Sequence, residues 1–326
     1  MRPGLAPTLR PEYSRLHLDA ESTGQLTSPA DELISIRDLL RYAVSRFAAA
    51  DLSFGHGAAT ALDEAAFLIL EGLRLPIDDI NPWLDARLLR SERDRVLGLI
   101  DSRVETRQPA AYLVGKAYLY GLPFFVEPGV IVPRSFIAEL MATGALGPDG
   151  LGLIPDPEAV SSVLDLCTGS GCLAVMAAMQ FGAAEVDAVD LSPQALAVAR
   201  RNLALHRLED RISLHQGDLF EPLGQRRYDL IITNPPYVAA AEVAAFPEEY
   251  RHEPQMAHLG GEDGLDLVRR ILAEAGEHLN PDGGMICEIG TGRKLLEAEY
   301  DLPFVWLDTE LSEGEVFWLG AADLTS

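Results

Sequence analysis

The stretch from Val163 to Asp190 constrains the fold of this chain more than any other. It opens with Val163-Leu164-Asp165-Leu166, a hydrophobic strand, and runs into the turn Cys167-Thr168-Gly169-Ser170-Gly171. An apolar helix is expected from Cys172 to Phe181, then a second strand, Glu185-Val186-Asp187-Ala188-Val189-Asp190, ending in an acid. Strand, glycine turn, helix and strand in that order form a βαβ unit, the building block of a parallel α/β sheet. Gly169 and Gly171 permit positive φ and close approach of a ligand to the backbone. The first turn of the helix adds free N–H groups and the positive end of its dipole. Asp190 lies nineteen residues after Gly171, the distance at which a second-strand carboxylate reaches a ribose diol.

Two ligands fit this unit. Gly169-Ser170-Gly171-Cys172-Leu173-Ala174 matches the dinucleotide pattern GxGxxA, which a nicotinamide dehydrogenase would use. Asp165 argues against that reading. A dinucleotide places an anionic pyrophosphate at the turn, and a carboxylate there repels it. The ammonium of the amino-acid part of S-adenosylmethionine would instead be attracted, and Asp165 is expected to receive it. A third strand leads to Gln216-Gly217-Asp218-Leu219-Phe220, where Asp218 can meet an adenine amine or serve only as a turn acid. All these groups fall at carboxyl ends of strands, where open α/β sheets bind ligands.

A fourth strand, Tyr228-Asp229-Leu230-Ile231-Ile232-Thr233, ends in Asn234-Pro235-Pro236-Tyr237. Such a sequence can close a strand as a plain turn, or it can grip a flat NH2 group. The Asn234 side-chain oxygen accepts one N–H, a backbone carbonyl aimed by the prolines accepts the other, and the Tyr237 ring stacks on the plane. A planar, weakly nucleophilic nitrogen is the matching substrate, either a carboxamide or a nucleobase amine. No strong general base is required. His252 is a conceivable proton acceptor, though a lone loop histidine more often serves structure.

With both motifs in place, the chain resembles the HemK/PrmC family of class I glutamine methyltransferases. The resemblance extends to Gln108-Pro109-Ala110-Ala111-Tyr112-Leu113, Val130-Ile131-Val132-Pro133-Arg134, Glu253-Pro254-Gln255-Met256-Ala257 and Gly260-Gly261-Glu262-Asp263-Gly264-Leu265-Asp266. Pro133-Arg134-Ser135-Phe136-Ile137 departs from the release-factor-modifying branch. Together with Asp165-Leu166-Cys167-Thr168, Tyr250-Arg251-His252-Glu253-Pro254 and Arg41-Tyr42-Ala43-Val44-Ser45-Arg46-Phe47, it is similar to the branch acting on large-subunit ribosomal protein L-three. The resemblance implies an S-adenosylmethionine-dependent enzyme that leaves S-adenosylhomocysteine and methylates a glutamine amide of that protein. It assigns the donor to Asp165, Cys167, Thr168, Gly169, Ser170, Gly171, Asp190, Asp218, Leu219 and Asn234. It assigns the substrate amide to Asn234, Pro235, Pro236 and Tyr237, with catalysis by Asn234, Pro235 and Tyr237. The same chemistry on the Gly-Gly-Gln of peptide-chain release factors is the near alternative. A nucleic-acid amine methyltransferase is the distant one.

Charge bears on that choice. The chain carries 50 acidic residues against 26 Lys and Arg, a net charge of -24. A bare duplex would be repelled and a basic ribosomal protein attracted, so no direct nucleic-acid substrate is expected. Three cysteines without a Cys-x-x-Cys pair indicate neither zinc nor disulfides. No apolar run is long enough to span a bilayer and no signal-peptide core follows Met1, so a cytoplasmic enzyme is expected.

Across 326 residues this suggests four segments. Residues 1–30 read as a disordered tail rich in Pro, Gly, Ser and Thr. Residues 31–116 read as a helical substrate-recognition domain of four or five helices. Its stripes are Leu39, Leu40, Ala43, Val44 and Phe47, then Ala65, Ala66, Leu68, Leu70 and Leu73. Residues 117–135 read as a β-hairpin linker, with strand character over 118–132. Residues 136–326 read as the Rossmann-like methyltransferase domain, closed by an antiparallel pair at Phe304–Leu307 and Val316–Leu319.

Overall fold

The computed structural model describes residues 28–310 and 312–324. The expected tail therefore lies outside the described residues except at its end. There, Ser28 accepts from the Ala30 amide and caps helix α1 (Pro29–Glu32), so helical structure begins before the expected boundary. Helices α2 (Ile36–Ala49), α3 (Ala61–Leu73), α4 (Arg90–Thr106) and α5 (Ala110–Val114) complete the N-terminal part.

Each start has a local cause. On α2 the Ser35 hydroxyl accepts from the Asp38 amide, and the Asp38 carboxylate accepts from the Ser35 amide, a reciprocal cap. Ile36, Leu39, Ala43 and Phe47 follow at helical spacing and are buried, whereas Leu40 and Val44 are only partly so. They meet Leu68 and Ile69 of α3 and Val96 and Ile100 of α4 in one core. Each large side chain buried this way contributes about 1.5–3 kcal/mol.

The hairpin is shorter than expected. Strand β1 (Lys116–Leu119) pairs antiparallel with β2 (Leu122–Phe125) through Tyr120-Gly121, both at positive φ, the geometry a two-residue hairpin turn requires. Beyond Phe125, Pro128 and Pro133 lack an amide to donate and Gly129 turns at φ +95°. Residues 126–135 consequently run as a partly buried connector, with Val130 and Val132 enclosed outside any ladder.

Helix α6 (Phe136–Ala142) leads to the main sheet. It contains β3 (Ser162–Leu166), β4 (Glu185–Asp190), β5 (Ile212–Gln216), β6 (Tyr228–Thr233), β7 (Leu279–Glu288), β8 (Val305–Leu307) and β9 (Val316–Gly320). Their order is β5-β4-β3-β6-β7-β9-β8. The pairs β7–β9 and β9–β8 are antiparallel and the other four are parallel. Helices α7 (Cys172–Gln180), α8 (Pro193–His206), α9 (Ala240–Ala244), α10 (Asp266–Ala275), α11 (Arg293–Glu299) and α12 (Ala321–Leu324) complete the unit.

Side chains alternate between two cores. Val163, Leu230, Ile232 and Ile286 face one side with α7 and Phe181. Leu164, Ile231, Met285 and Cys287 face the other with Val268 and Ile271 of α10. Burial on both faces is what a parallel sheet between helical layers demands. Chain order reverses between β3 and β6, and this switch point is where such sheets open a crevice. Among the described residues no helix is long and apolar enough to cross a membrane.

Candidate active site

A cavity of about 390 Å³ opens above the carboxyl ends of β3, β4 and β6, within the range of sites for small ligands. Its floor is the turn after β3. Cys167, Gly169 and Gly171 all have positive φ. A Cβ at Gly171 would come 3.1 Å from the Ala199 Cβ on α8, so the tight turn depends on glycine there. Cys167, Thr168, Gly169 and Ser170 line the cavity. Asp190 lines it too, and its carboxylate is already tied to the backbone. Gly169 N donates to Oδ2 and Ser192 N to Oδ1, both at 2.8 Å. Burial pushes this carboxyl up and the two amide bonds oppose that. Asp218 and Leu219 form another part of the wall, with Asp218 Oδ2 ion-paired to Arg270 at 2.9 Å.

Asp165 is placed differently from the expectation. It is fully buried and lies beneath the turn rather than on the cavity wall. Position 165 shares a sheet face with Val163, so its side chain turns under α7. There Oδ2 accepts from Thr168 Oγ1 at 2.5 Å and Ala174 N at 3.0 Å, while Oδ1 has no partner. From there Asp165 ties the turn after β3 to the start of α7. Burial pushes its carboxyl up to about 7, against the Thr168 and Ala174 bonds. This makes a stability prediction. A folded-state pKa raised above the ordinary 3.8 keeps the proton on the folded protein longer, so stability falls as pH rises from about 4 to about 7. Asp165→Asn removes that slope. Its unfolding free energy, compared with the parent's by urea titration, should gain on the order of 4 kcal/mol between those pH values; a constant difference across the range would refute it.

The clamp residues belong to the same cavity. Asn234, Pro235, Pro236 and Tyr237 all line it, at the end of β6. Asn234 Nδ2 donates to the Arg134 carbonyl at 3.2 Å. A carbonyl only accepts, so the amide must present its NH2 to Arg134 and its Oδ1 elsewhere, which settles the flip. Among the described residues, no hydrogen bond is made to the Pro235 carbonyl. Tyr237 donates through its hydroxyl to Glu288 Oε1 at 3.0 Å, which fixes the ring. Phe246, Tyr250 and His258 form an aromatic wall beside it. His252 points away, its Nε2 3.1 Å from the Thr106 carbonyl, and takes the structural role.

Three acidic or basic groups around the clamp carry no role in the sequence reading. Glu288 ends β7 and accepts from Ser135 Oγ (2.6 Å), Phe136 N (2.9 Å) and Tyr237. Burial pushes its carboxyl up despite these bonds. Its signal was present, since Met285-Ile286-Cys287-Glu288-Ile289-Gly290 is another strand ending in an acid before a glycine. Arg134 and Glu253 were legible only as parts of family segments. They form a bidentate pair, Nη1–Oε1 2.9 Å and Nη2–Oε2 2.7 Å.

Comparison with known proteins decides the family. A family model described as the methyltransferase small domain matches residues 153–247. The ribosomal protein uL3 glutamine methyltransferase of Bradyrhizobium diazoefficiens is 57% identical, covering 90% of this chain and 92% of the relative. That of Bordetella pertussis is 54% identical over 90% of this chain and 98% of the relative. That of Burkholderia pseudomallei is 50% identical over 92% and 98%. The chain belongs to this methyltransferase family. The dehydrogenase reading of the glycine turn is thereby set aside. The clamp and the turn of this enzyme leave neighbouring strands and line one cavity, as a group transfer between two bound molecules needs.

Proposed function

We propose that the enzyme transfers a methyl group from S-adenosyl-L-methionine to the side-chain amide nitrogen of a glutamine in ribosomal protein L-three. The observation that carries this reading is the Asn234 amide. Its NH2 is committed to the Arg134 carbonyl, so its oxygen is left to accept an N–H in the cavity that the glycine turn also lines. The relatives' substrate names the protein.

The residues present fit such a donor. Thr168, Gly169 and Ser170 offer a cradle of backbone, and Asp190 presents a carboxylate for a ribose diol. Asp218 retains acceptor capacity beside Arg270 for an adenine amine, with Leu219 against the ring. Asp165, with an unpartnered oxygen and a carboxyl near neutrality, answers a cation above the turn by giving up its proton. When bound, the donor supplies an electrophilic methyl on a sulfonium and leaves as S-adenosyl-L-homocysteine.

The clamp supplies the rest. An amide lone pair is delocalised into its carbonyl, so the nucleophile is poor. Asn234 Oδ1 and Pro235 O hold the two amide hydrogens and aim the nitrogen. Positioning of this kind removes at most ~7–11 kcal/mol of a barrier. As the nitrogen gains the methyl, its hydrogens become more acidic and the two acceptors hold them more tightly, and one of them then leaves as a proton to bulk water as the product departs. The clamp thus favours the transition state over the ground state. Tyr237, fixed by Glu288, stacks on the amide and keeps water out. A ribosomal-protein substrate fits a cytoplasmic reaction.

Incubation with labelled S-adenosylmethionine and, separately, ribosomal protein L-three, a release factor and rRNA tests the reading. Peptide mass spectrometry is expected to find label on a glutamine of the ribosomal protein. Label on the release factor alone would transfer the chemistry to the other substrate, and label on rRNA would mean that the clamp grips a base.

A further inference from the structure

Resting on the clamp reading above, we infer that Glu253 is a positioning residue for methyl transfer: it holds the Arg134 segment whose carbonyl turns the Asn234 amide toward the substrate. Glu253 lies in the loop after α9 and is buried. It grips the connector twice. Oε1 accepts from the Val132 amide at 2.8 Å and from Arg134 Nη1 at 2.9 Å, and Oε2 accepts from Arg134 Nη2 at 2.7 Å. Both ends of the tripeptide Val132-Pro133-Arg134 are thus fastened to one carboxylate. The carbonyl of the same Arg134 receives Asn234 Nδ2 at 3.2 Å. The guanidinium also lies over the Tyr250 ring, 5.8 Å from its centre.

Two histidines close the carboxylate in. His258 Nε2 is 3.0 Å and His56 Nε2 3.4 Å from Glu253 Oε2. Burial alone would push the Glu253 carboxyl up, but the adjacent His258, His56 and Arg134 hold it well below the usual carboxylate range. It is therefore a permanent anion, as a bidentate arginine anchor requires. His56 belongs to the segment between α2 and α3 and packs on Tyr250, with ring centres 4.2 Å apart. The same loop is fastened to the helical part through Glu249, which pairs with Arg107 at 2.6 Å and accepts from Ser53 N at 3.0 Å. The helical part thereby reaches the clamp through a continuous set of neighbouring groups: His56, 3.4 Å from Glu253, then Glu253, Arg134 and Asn234.

The geometry has a chemical consequence. Glu253 does not line the cavity, so its loss leaves both ligands able to enter. What it removes is the fixed direction of the Asn234 oxygen, and small misplacement of a reacting group costs on the order of 100-fold in rate. Glu253→Gln presents an NH2 where Arg134 or Val132 needs an acceptor, and the two-point grip fails.

The test uses the full-length enzyme with ribosomal protein L-three. Parent activity comes first; its absence would strike the functional reading itself rather than this inference. Given parent activity, Glu253→Gln is expected to lower kcat about 100-fold, with S-adenosylmethionine Kd within about twofold of the parent. A double-mutant cycle supplies a readout that a merely structural role would not move. Replacing the target glutamine by alanine in the ribosomal protein should weaken its binding to the parent, while Glu253→Gln should bind the two proteins alike. If Glu253→Gln folds poorly, Arg134→Lys keeps the cation but loses the bidentate grip, and kcat should fall about tenfold. Parent-like kcat in a folded variant, or an unchanged glutamine-to-alanine penalty, would overturn the inference.

Discussion

Asn234→Ala is expected to lower kcat on the ribosomal protein by about 100- to 1,000-fold, the usual cost of deleting one preorganised hydrogen-bonding partner of a transition state. Affinity for S-adenosylmethionine should stay within a few-fold, because the groups that form the donor end of the cavity come from β3, β4 and the turn after β5 rather than from the clamp alone. The reason for the asymmetry is geometric. Asn234 has one half committed to the Arg134 carbonyl and one half left for an incoming N–H. Removing both halves leaves the substrate amide free to rotate, and its nitrogen then spends little time on the line of attack. Asn234→Asp sharpens the point. It keeps an acceptor but sets a carboxylate oxygen against the Arg134 carbonyl, two acceptors without a proton between them. That variant should also be slow, although it is nearly the same size as the parent residue. Single-turnover rates measured with saturating donor separate the two effects from binding. A parent-like rate for either variant would remove Asn234 from the chemistry.

How much of this was legible beforehand depends on sequence distance. The βαβ unit is local: its strand, turn, helix and acid fall within thirty residues, and periodicity alone assigns them. Asn234-Pro235-Pro236-Tyr237 is also local, so the clamp was visible as a set of acceptors. Asp165 shows where such reading stops. The sequence places an acid next to the end of β3, but the ammonium contact depends on which sheet face the side chain takes. Alternation puts position 165 with Val163 under α7, away from the cavity. Val130 and Val132 look like strand residues of a longer hairpin, but the ladder is denied by Pro128 and Pro133 and the chain is turned by Gly129. Arg134 and Glu253 are 119 residues apart in the chain. No periodicity or spacing pairs them, and only folding brings the connector and the loop after α9 to the same carboxylate. The role of the helical part as a brace for the clamp was hidden for the same reason.

The second large effect lies in that helical part. Arg103→Met is expected to destabilise the enzyme by about 3–5 kcal/mol, the range found when one partner of a buried ion pair is deleted. Arg103 is fully buried on α4. Its Nε donates to Glu64 Oε1 on α3 at 2.6 Å, its Nη2 donates to the Ser53 carbonyl at 3.0 Å, and its Nη1 is 3.9 Å from Glu249. Methionine fills much of the same volume, so the cost is electrical rather than a cavity. It strands Glu64, which is itself buried. Burial already pushes the Glu64 carboxyl above its ordinary 4.5, with Arg103 opposing the rise. Without Arg103 the folded-state value climbs further. The sign follows: a folded pKa above the unfolded one means that stability is lost as pH rises through that interval. The deficit of Arg103→Met, measured by urea unfolding, should therefore be smaller at pH 5 than at pH 8. Adding Glu64→Gln removes the stranded charge and should recover much of the loss at pH 8. Equal deficits at the two pH values, or no recovery in the double variant, would mean that the bonds to Ser53 and the packing of the guanidinium, rather than the paired charge, hold α3 and α4 together.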